Sequence, residues 1–388
     1  MAVRIKLFFI VLMLVAFGIV MIYNTSAFYA YYKYGDYLYF FRKSLIWTFI
    51  SLFGFVFGYY IRPKFLKKIS FYIFILSFIL LLLVFTPIGI SAGGARRWIN
   101  LRFFMFQPSE FMKLSFLLYF SSFLSDRIDK ADSFKDYFFP AVVLIGISAL
   151  PILAEPDFGT TFILGLVGCV LLIASGARLR YIIGLGLLVL PFLYLLIFRV
   201  SYRMKRIMVF LDPWKDAKGA GYQIVQSFVA FNNGGISGIG FGESRQKLFY
   251  LPEAHTDFIF SIVGEELGFI GALFVVILFL LFVYYGFKIA MHSKDVYEKI
   301  LAFGIVSLIG IQAYINMCVV TGLIPTKGLP LPFISYGGTS LLMFMILIGI
   351  LLGIDKSNSR KKVVEPVSSV RCAQNKIYYK GKKRRYER

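Results

Sequence analysis

Apolar runs of membrane-spanning length recur along this chain. A hydrocarbon core about 30 Å thick takes about 20 residues of helix to cross, and a backbone inside lipid must satisfy its own hydrogen bonds, as a helix does. Runs close to that length occupy residues 6–23, 45–61, 69–86, 110–125, 138–154, 160–176, 181–198, 258–287, 300–323 and 339–354. The sequence therefore predicts an all-α, polytopic membrane protein with about ten transmembrane helices.

The charges between the runs predict how the chain is oriented. Short connections on the side of the N-terminus carry about twice as many Lys and Arg residues as those on the other side, and such an excess marks the cytoplasmic side. We therefore expect both termini in the cytoplasm of a multi-pass plasma membrane protein. The first run also has the features of a cleaved signal peptide, but we favour a retained anchor because nine further runs hold the chain in the membrane.

This topology divides the chain into three parts. Residues 1–354 form the membrane domain, and residues 199–257, between the seventh and eighth helices, form its one long extracytoplasmic loop. Within that loop, residues 222–231 predict an amphipathic helix at the membrane interface. Residues 355–388 are expected to be a basic, disordered cytoplasmic tail that rests on anionic membrane lipids.

Composition excludes several other classes of protein. The chain is 59% hydrophobic with a mean hydropathy of +0.76, which excludes an ordinary soluble domain. Its net charge of +22 lies in the connections and the tail, so we interpret it as a topology signal and expect no nucleic-acid partner. Three cysteines and two histidines show no disulfide framework and no metal-ligand spacing, and no segment predicts an organic cofactor.

The segment LPEAHTDFIFSIVGEELGFIG, residues 251–271, carries acids at and inside an apolar run. Ionisable groups at membrane depth are costly and mark functional sites. On a helix, one side collects the polar and small residues, namely Asp257, Ser261, Gly264, Glu265 and Gly268. We expect this side to line a cavity, with Glu265 supporting the site. Glu266 lies about 100° away and is expected to contact Gln312 or Asn316.

Polar clusters gather at one face of the predicted helices. They occupy residues 95–113, 154–161, 251–271 and 323–340. Each has an ordinary explanation: Ser109 and Glu110 begin a helix, Asp157 lies in a turn, and Asp257 caps the eighth helix. Because four separate connections place acids, bases and rigid turns at the same face, we favour a functional site there.

Several segments also carry a family resemblance, in a fixed order along the chain up to about residue 355. They are FQPSEFMKL, AEPDFGTT, GAGYQIVQSFVAFNNGG, LPEAHTDFIFSIVGEELGFIG and GLIPTKGLPLPFISYGGTSLL. They resemble the signature segments of the SEDS family, which comprises the FtsW, RodA and SpoVE proteins of bacterial cell-wall synthesis. Three segments are closer to FtsW, the division member, than to RodA: DPWKDAKGAGYQ, YLPEAHTDFIF and PTKGLPLPFISYGG.

The resemblance implies a peptidoglycan glycosyltransferase that polymerises lipid II on the outer face of the plasma (inner) membrane, at the division septum. It also implies a class B penicillin-binding protein as the transpeptidase partner, together with other division proteins. Lipid II and the polyprenyl-diphosphate-linked glycan are the expected substrates. A lipid II flippase or transporter and a division scaffold are the competing interpretations.

The resemblance assigns the site residue by residue. The Asp of the HTDF motif is the family's proposed catalytic residue, and it matches Asp257. We expect substrate contacts from the polar residues around it, namely Arg97, Trp98, Glu110, Lys113, Asp157, His255 and Lys327. Supporting roles are expected of Gln107, Glu265, Glu266 and Ser335.

The expected chemistry needs a base and a positive charge. A sugar hydroxyl needs a general base within hydrogen-bond reach, and Asp257 is the candidate. The leaving diphosphate needs positive charge, from Arg96, Arg97 or Lys113, or from a divalent cation, Mg or Mn, held by Asp257 and Glu110. Because an acid at a helix N-terminus is stabilised as the anion, Asp257 serves either as the base, with its pKa raised by burial or neighbouring acids, or chiefly as a metal ligand.

Overall fold

A computed structural model describes residues 2–92, 95–100, 104–198 and 201–359 of the chain. Its helices are, in order, α1 (Ala2–Tyr34), α2 (Tyr39–Tyr60), α3 (Pro63–Leu83), α4 (Pro108–Ser125), α5 (Phe139–Ala154), α6 (Phe158–Ala174), α7 (Leu179–Phe198), α8 (Ser201–Leu211), α9 (Tyr222–Gly234), α10 (Ile259–His292), α11 (Val296–Val320) and α12 (Gly338–Ser359).

Among the described residues, seven helices are long and apolar enough to cross a membrane, namely α1, α2, α3, α5 with its preceding turn, α10, α11 and α12. The apolar helices α6 and α7 have 17 and 20 residues, and α4 has 18. Together they confirm the predicted all-α, polytopic architecture. The last helix continues to Ser359, beyond the predicted end at residue 354, and the remainder of the predicted tail lies outside the described residues.

Helices α4, α11 and α12 form the centre of the bundle. Nearly the whole circumference of α4 is buried, so this helix tolerates Glu110, Lys113 and several serines that a lipid-facing helix would not. Small residues let α2 approach α12 closely: an added Cβ on Gly58 or Gly349 would overlap the backbone of the opposite helix. Such small-residue contacts are typical of packed membrane helices.

A small sheet at one end of the bundle was not predicted. Strands β1 (Gly89–Ala92), β2 (Ala95–Asn100) and β3 (Met105–Phe106) pair antiparallel in that order between α3 and α4. Four connections lie at this end, which we call the site face: the sheet, the α5–α6 turn, residues 235–258 and residues 321–337. The structure therefore brings the four polar clusters to the same end of the bundle, as the sequence predicts.

Most of the described part of the long connection between α7 and α10 is helical. The predicted helix at residues 222–231 is present as α9, but it packs against α10 rather than standing alone at the membrane surface. The Ser227 hydroxyl lies 2.7 Å from that of Ser261 and donates to the Val320 carbonyl at 2.6 Å. The segment that follows α9, residues 235–247, we call the connector.

Helix α10 is interrupted at Gly268, which has a φ of +64°. The Glu265 and Glu266 carbonyls accept hydrogen bonds from the connector amides of Ile239 (3.1 Å) and Gly240 (3.2 Å) instead of from their own helix. Just beyond the break, the Phe269 and Ile270 amides donate to the connector carbonyls of residues 235 and 236, at 2.9 and 3.2 Å. The connector is thus inserted into the hydrogen bonding of α10.

This break corrects the prediction that the polar side of α10 lines a cavity. An added Cβ on Gly264 would overlap the Phe231 ring, and one on Gly268 would overlap the connector backbone at Gly238. The side is occupied by α9 and the connector. Residues 269–292, about 36 Å of helix, are long enough to cross the membrane by themselves. The part that carries Glu265 and Glu266 is therefore not needed to cross the hydrocarbon core.

Candidate active site

The backbone just before α10 is held in place by hydrogen bonds to three of its consecutive carbonyl groups. The Asn316 side-chain amide donates to the Asp257 carbonyl at 2.8 Å, and it also donates to the Leu329 carbonyl at 2.6 Å. The Ser335 hydroxyl donates to the Thr256 carbonyl at 2.5 Å, and the Tyr336 amide donates to the His255 carbonyl at 3.0 Å. Helix α11 and the loop of residues 321–337 therefore fix the position of Asp257.

The Asp257 side chain is half-buried beside Gly328. A Cβ added to Gly328 would lie 2.9 Å from Oδ2 of Asp257, so any larger residue at this position would make the carboxylate shift. Asp257 does not cap α10, since the N-cap residue is Phe258 and no side chain caps it. Burial, followed by the charges of Glu253 and Asp157, raises the pKa of Asp257 to about 7, against the opposing charges of Arg97 and Arg206.

Strand β2 joins the site through Arg97. Its Nε donates to the Glu155 carbonyl at 3.1 Å, and its Nη2 donates to the Pro156 carbonyl at 2.5 Å. Neighbouring residues of a strand point to opposite faces, so Trp98, which is half-buried, points away from this turn. The structure thus brings Arg97 to the α5–α6 turn and separates it from Trp98.

The α5–α6 turn contains two acids with different environments. Asp157 caps α6, because its carboxylate accepts from the Thr160 amide at 3.0 Å and from the Thr160 hydroxyl at 2.9 Å. Glu155 is 1% exposed, and neither of its carboxyl oxygens has a hydrogen-bond partner among the described residues. Burial, followed by the charge of Asp157, raises the pKa of Glu155 to about 8, and Arg97 opposes this shift.

Two further elements bring basic side chains to the site face. Lys327 precedes Gly328 in the loop and lies over the Phe162 ring, 3.6 Å from its centroid. Burial lowers the pKa of Lys327 to about 8, so it remains mostly cationic at neutral pH. Arg206, on α8, donates to the Thr326 carbonyl at 3.0 Å and acts on the charge of Asp257.

His255 is part of an aromatic cluster. Its ring stacks on Tyr29 with centroids 5.4 Å apart and contacts Phe40 at 5.0 Å and Tyr336 at 6.1 Å. Burial lowers the pKa of His255, which favours the neutral ring. The ring therefore joins α1, α2 and the loop before α12, and substrate binding by His255 stays a prediction.

Glu110 and Lys113 occupy the interior of the bundle. Lys113 Nζ lies 2.7 Å from Glu110 Oε1 and donates to Gln312 Oε1 at 3.0 Å. Gln312 in turn donates to the Pro330 carbonyl at 2.9 Å. Both charged side chains are almost fully buried. Gln312 thus connects the pair to the loop that carries Gly328, and substrate contact by Glu110 and Lys113 stays a prediction.

The two acids of α10 bind the connector, and the predicted partners of Glu266 were wrong. Glu266 pairs with Lys247 at 2.9 Å and accepts from Asn24 of α1, whereas Gln312 and Asn316 contact the loop before α12. Glu265 accepts a hydrogen bond from the Ser244 hydroxyl. The spacing of the two acids on the helix was right, but periodicity does not reveal which element covers each side.

The remaining supporting residues have local roles. Gln107 precedes α4, and its amide donates to the Ser109 hydroxyl at 3.1 Å. Ser335 accepts from the Leu331 amide at 2.9 Å while it donates to Thr256, so it connects the loop to the segment before Asp257.

The predicted cation site, in which Asp257 and Glu110 are the two ligands, does not fit this arrangement. Glu110 is neutralised by Lys113, so its carboxylate is not available beside Asp257. Across the described parts of the chain, no three His, Cys, Asp or Glu side chains are grouped to hold a metal ion. Mg²⁺, however, is commonly bound by one or two carboxylates together with substrate phosphates, and Asp257 supplies one such carboxylate.

Three residues of the site were not singled out from the sequence: Glu155, Arg206 and Glu253. Glu155 belongs to the AEPDFGTT segment, where its position immediately before Pro156 was the available signal. Arg206 lies in the long connection, and no pattern there indicates that α8 reaches the loop at Thr326. Glu253 accepts from the Thr256 hydroxyl at 2.7 Å and was concealed among the other polar residues of its segment.

Comparisons with known proteins agree over nearly the whole chain. Residues 5–360 match a family model described as cell cycle protein, which covers FtsW, RodA and SpoVE. A probable peptidoglycan glycosyltransferase FtsW of Geobacter sp. (strain M18) is 44% identical over 342 residues, covering 88% of this chain and 93% of the relative. The stage V sporulation protein E of Bacillus subtilis (strain 168) is 40% identical, covering 89% and 95%.

Solved structures share the fold. One, described as showing structural coordination of polymerization and crosslinking by a peptidoglycan synthase complex, has a TM-score of 0.76 and 25% identity, covering 91% of this chain and 97% of that one. The rod shape determining protein RodA of Thermus thermophilus has a TM-score of 0.67 at 23% identity, covering 91% and 96%.

Proposed function

Since the chain belongs to the FtsW/RodA/SpoVE family, we propose that the site around Asp257 polymerises lipid II. The protein is a peptidoglycan glycosyltransferase, as its relatives are named. The observation that carries the assignment of the site is the placement of Asp257: its backbone is fixed by α11 and the loop, and burial raises the pKa of its carboxyl group to about 7.

Asp257 is suited to the role of general base. The acceptor sugar hydroxyl attacks the anomeric carbon of the growing glycan, forming a C–O bond while the bond to the polyprenyl diphosphate breaks. The hydroxyl proton passes to the Asp257 carboxylate. A base works best when its pKa lies near the working pH, and burial gives Asp257 that property where a solvated Asp would be too weak.

The leaving diphosphate needs positive charge as it departs. Arg97 and Arg206 bring two cations to the surroundings of Asp257, and Lys327 adds a third on the loop next to Gly328. Two N–H groups of Arg97 bind the α5–α6 turn, and a guanidinium has five, so others remain for a substrate oxygen. We therefore assign the diphosphate to these cations rather than to Lys113, which is enclosed with Glu110.

A divalent cation, Mg or Mn, fits as a companion of the substrate. We propose that Asp257 is its protein ligand and that the diphosphate supplies most of the others. When bound, the cation would neutralise charge on the diphosphate. Chelation with EDTA, followed by return of Mg²⁺, tests this requirement in the purified protein.

The location and partners of the enzyme follow from the same assignment. Lipid II polymerisation places the site face outside the plasma membrane, with both termini in the cytoplasm, and the similarity to FtsW favours the division septum. A class B penicillin-binding protein is the proposed partner, since one structural relative is part of a peptidoglycan synthase complex that joins polymerization and crosslinking. Other division proteins and membrane lipids complete the proposed environment.

The decisive experiment is polymerisation of lipid II by the purified protein and by Asp257→Ala, each with and without the proposed partner. We expect the variant to fold, bind lipid II and form no glycan. Asp132→Ala, which removes an exposed ion pair with Arg178 at the opposite face, is the control and should polymerise normally. Polymerisation by Asp257→Ala would refute the assignment.

Transport of lipid II across proteoliposome membranes separates the competing activity. A transporter would move lipid II in an Asp257-dependent manner without forming polymer, whereas the polymerase should form polymer on whichever side the site face lies. Movement without polymer would favour the transporter.

A further inference from the structure

Glu155 is a buried acid that the reaction described above does not use. The residue is 1% exposed, and both carboxyl oxygens are without hydrogen-bond partners among the described residues. Buried polar atoms nearly always have partners, and an unpaired buried carboxylate is far more costly than a neutral carboxyl group. The position of this side chain therefore requires an explanation.

The hydrogen bonding of Arg97 indicates the charge of Glu155. The guanidinium lies at the α5–α6 turn, yet it donates to the carbonyl oxygens of Glu155 and Pro156 rather than to either carboxyl group of the turn. Arginine close to a carboxylate normally forms a charge-assisted, often bidentate pair with it. Its preference here for two neutral carbonyls is the arrangement expected beside a neutral Glu155.

We propose that Glu155 is a positioning residue that acts in its protonated form. A neutral Glu155 leaves Arg97 on the carbonyls of the turn, with its other N–H groups available to the leaving diphosphate. An ionised Glu155 captures the guanidinium and withdraws it from the diphosphate. This inference rests on the proposed function of the site, and it assigns to Glu155 the control of one of the cations that assist the departure of the diphosphate.

The direction of the pH dependence follows from the groups around Glu155. Asp157, from the same turn, and Arg97, from β2, are the charged groups that act on it, and burial is the larger cause of its raised pKa. The active form is the protonated one, so activity is retained below a pH of about 8 and lost as the pH rises through it. Asp257 gives activity the opposite pH dependence: its active form is ionised, so activity is lost as the pH falls through its pKa.

The test compares pH profiles of lipid II polymerisation in two proteins, one carrying Lys327→Arg and the other Lys327→Arg with Glu155→Gln. The Lys327→Arg background is needed because loss of the Lys327 charge would otherwise fall in the same pH range. Glutamine has the shape of a protonated glutamate and does not titrate. One pH unit above the Glu155 pKa, we expect the first protein to lose about tenfold of its plateau activity, and the Gln protein to keep its plateau.

Two outcomes would overturn the proposal. Coincident profiles would show that Glu155 does not control activity, and a folded Gln protein without activity at any pH would show that the proton of Glu155 is itself transferred. Thermal unfolding in detergent identifies folded protein in both cases.

Infrared difference spectroscopy provides a readout that does not depend on activity. The carbonyl band of protonated carboxyl groups should be stronger at neutral pH when Glu155 is present than in Glu155→Gln, where Asp257 still contributes to it. Absence of this difference would overturn the proposal even if the enzyme is active. If no protein polymerised lipid II, the proposed function would fail, and the infrared band would still report the protonation of Glu155.

Discussion

At the scale of single residues, the Asp257 carboxylate depends on the space that Gly328 leaves for it. A methyl group at position 328 would stand 2.9 Å from Oδ2 and force the carboxylate to turn. Misplacement of a reacting group by about 1 Å can cost about 100-fold in rate, so we expect Gly328→Ala to lower kcat by that order while the protein stays folded. Gly337→Ala, where a Cβ meets only an ordinary 3.5 Å contact, is the control; equal activities would contradict this packing.

Glu253 offers a test of why the Asp257 pKa is high. Its negative charge is the largest neighbouring contribution after burial, so Glu253→Gln removes an anion and makes ionisation of Asp257 easier. Because Asp257 is active when ionised, the acid limb of the kcat profile should move to lower pH. Glu243→Gln, at an exposed acid of the connector, should leave the limb unchanged. A shift to higher pH in Glu253→Gln would contradict the proposed electrostatics.

At the scale of elements, the break in α10 depends on glycine. Gly268 has a backbone conformation that other residues rarely adopt, and its added Cβ would overlap the connector. Strained backbone of this kind costs of order 1–3 kcal/mol, and the overlap adds to it. We expect Gly268→Ala to lower the unfolding temperature in detergent markedly. Gly165→Ala, at a helical glycine with open space, should be neutral, and equal unfolding temperatures for the two would contradict the insertion.

The same helix shows what a periodic pattern can and cannot predict. The spacing of Ser261, Gly264, Glu265 and Gly268 correctly predicts that α10 has one small and polar side, because side-chain direction follows from helix geometry. Asp257 was placed on the same side, but it precedes the helix and lies beside Gly328. Whether such a side faces water, ligand or protein depends on residues far away in the chain. Here Phe231 and Gly238 cover this side of the helix, so the cavity predicted from the sequence does not lie there.

At the scale of the whole molecule, the polytopic helical architecture was predictable because lipid imposes a minimum length and apolarity on each span. The gathering of four polar clusters at one face followed from the same pattern of spans. The partner of each side chain did not follow: Lys113 pairs with Glu110 inside the bundle, and Arg206 reaches the loop from α8. Those contacts depend on how the helices are arranged around α11, which hydropathy does not specify.

Orientation of the whole molecule is tested by labelling single cysteines with a membrane-impermeant maleimide. Ile236, in the connector, and Met291, at the opposite end of α10, are each 74% exposed. After the native cysteines are replaced by Ser, Ile236→Cys should react in intact cells with a permeable outer envelope, and Met291→Cys only after the plasma membrane is disrupted. The reverse pattern would place the site face in the cytoplasm. The cysteines to replace are Cys169, Cys318 and Cys372.

The insertion of the connector into α10 also has a mechanical consequence. Four main-chain hydrogen bonds, at 2.9–3.2 Å, join residues 235–240 to both sides of the break, and the short stretch above it leads directly to Asp257. Main-chain hydrogen bonds transmit a displacement directly, because no change of side-chain rotamer can absorb it. A protein that displaces the connector should therefore also displace the first turns of α10 and, with them, the Asp257 carboxylate. It can do so without entering the site.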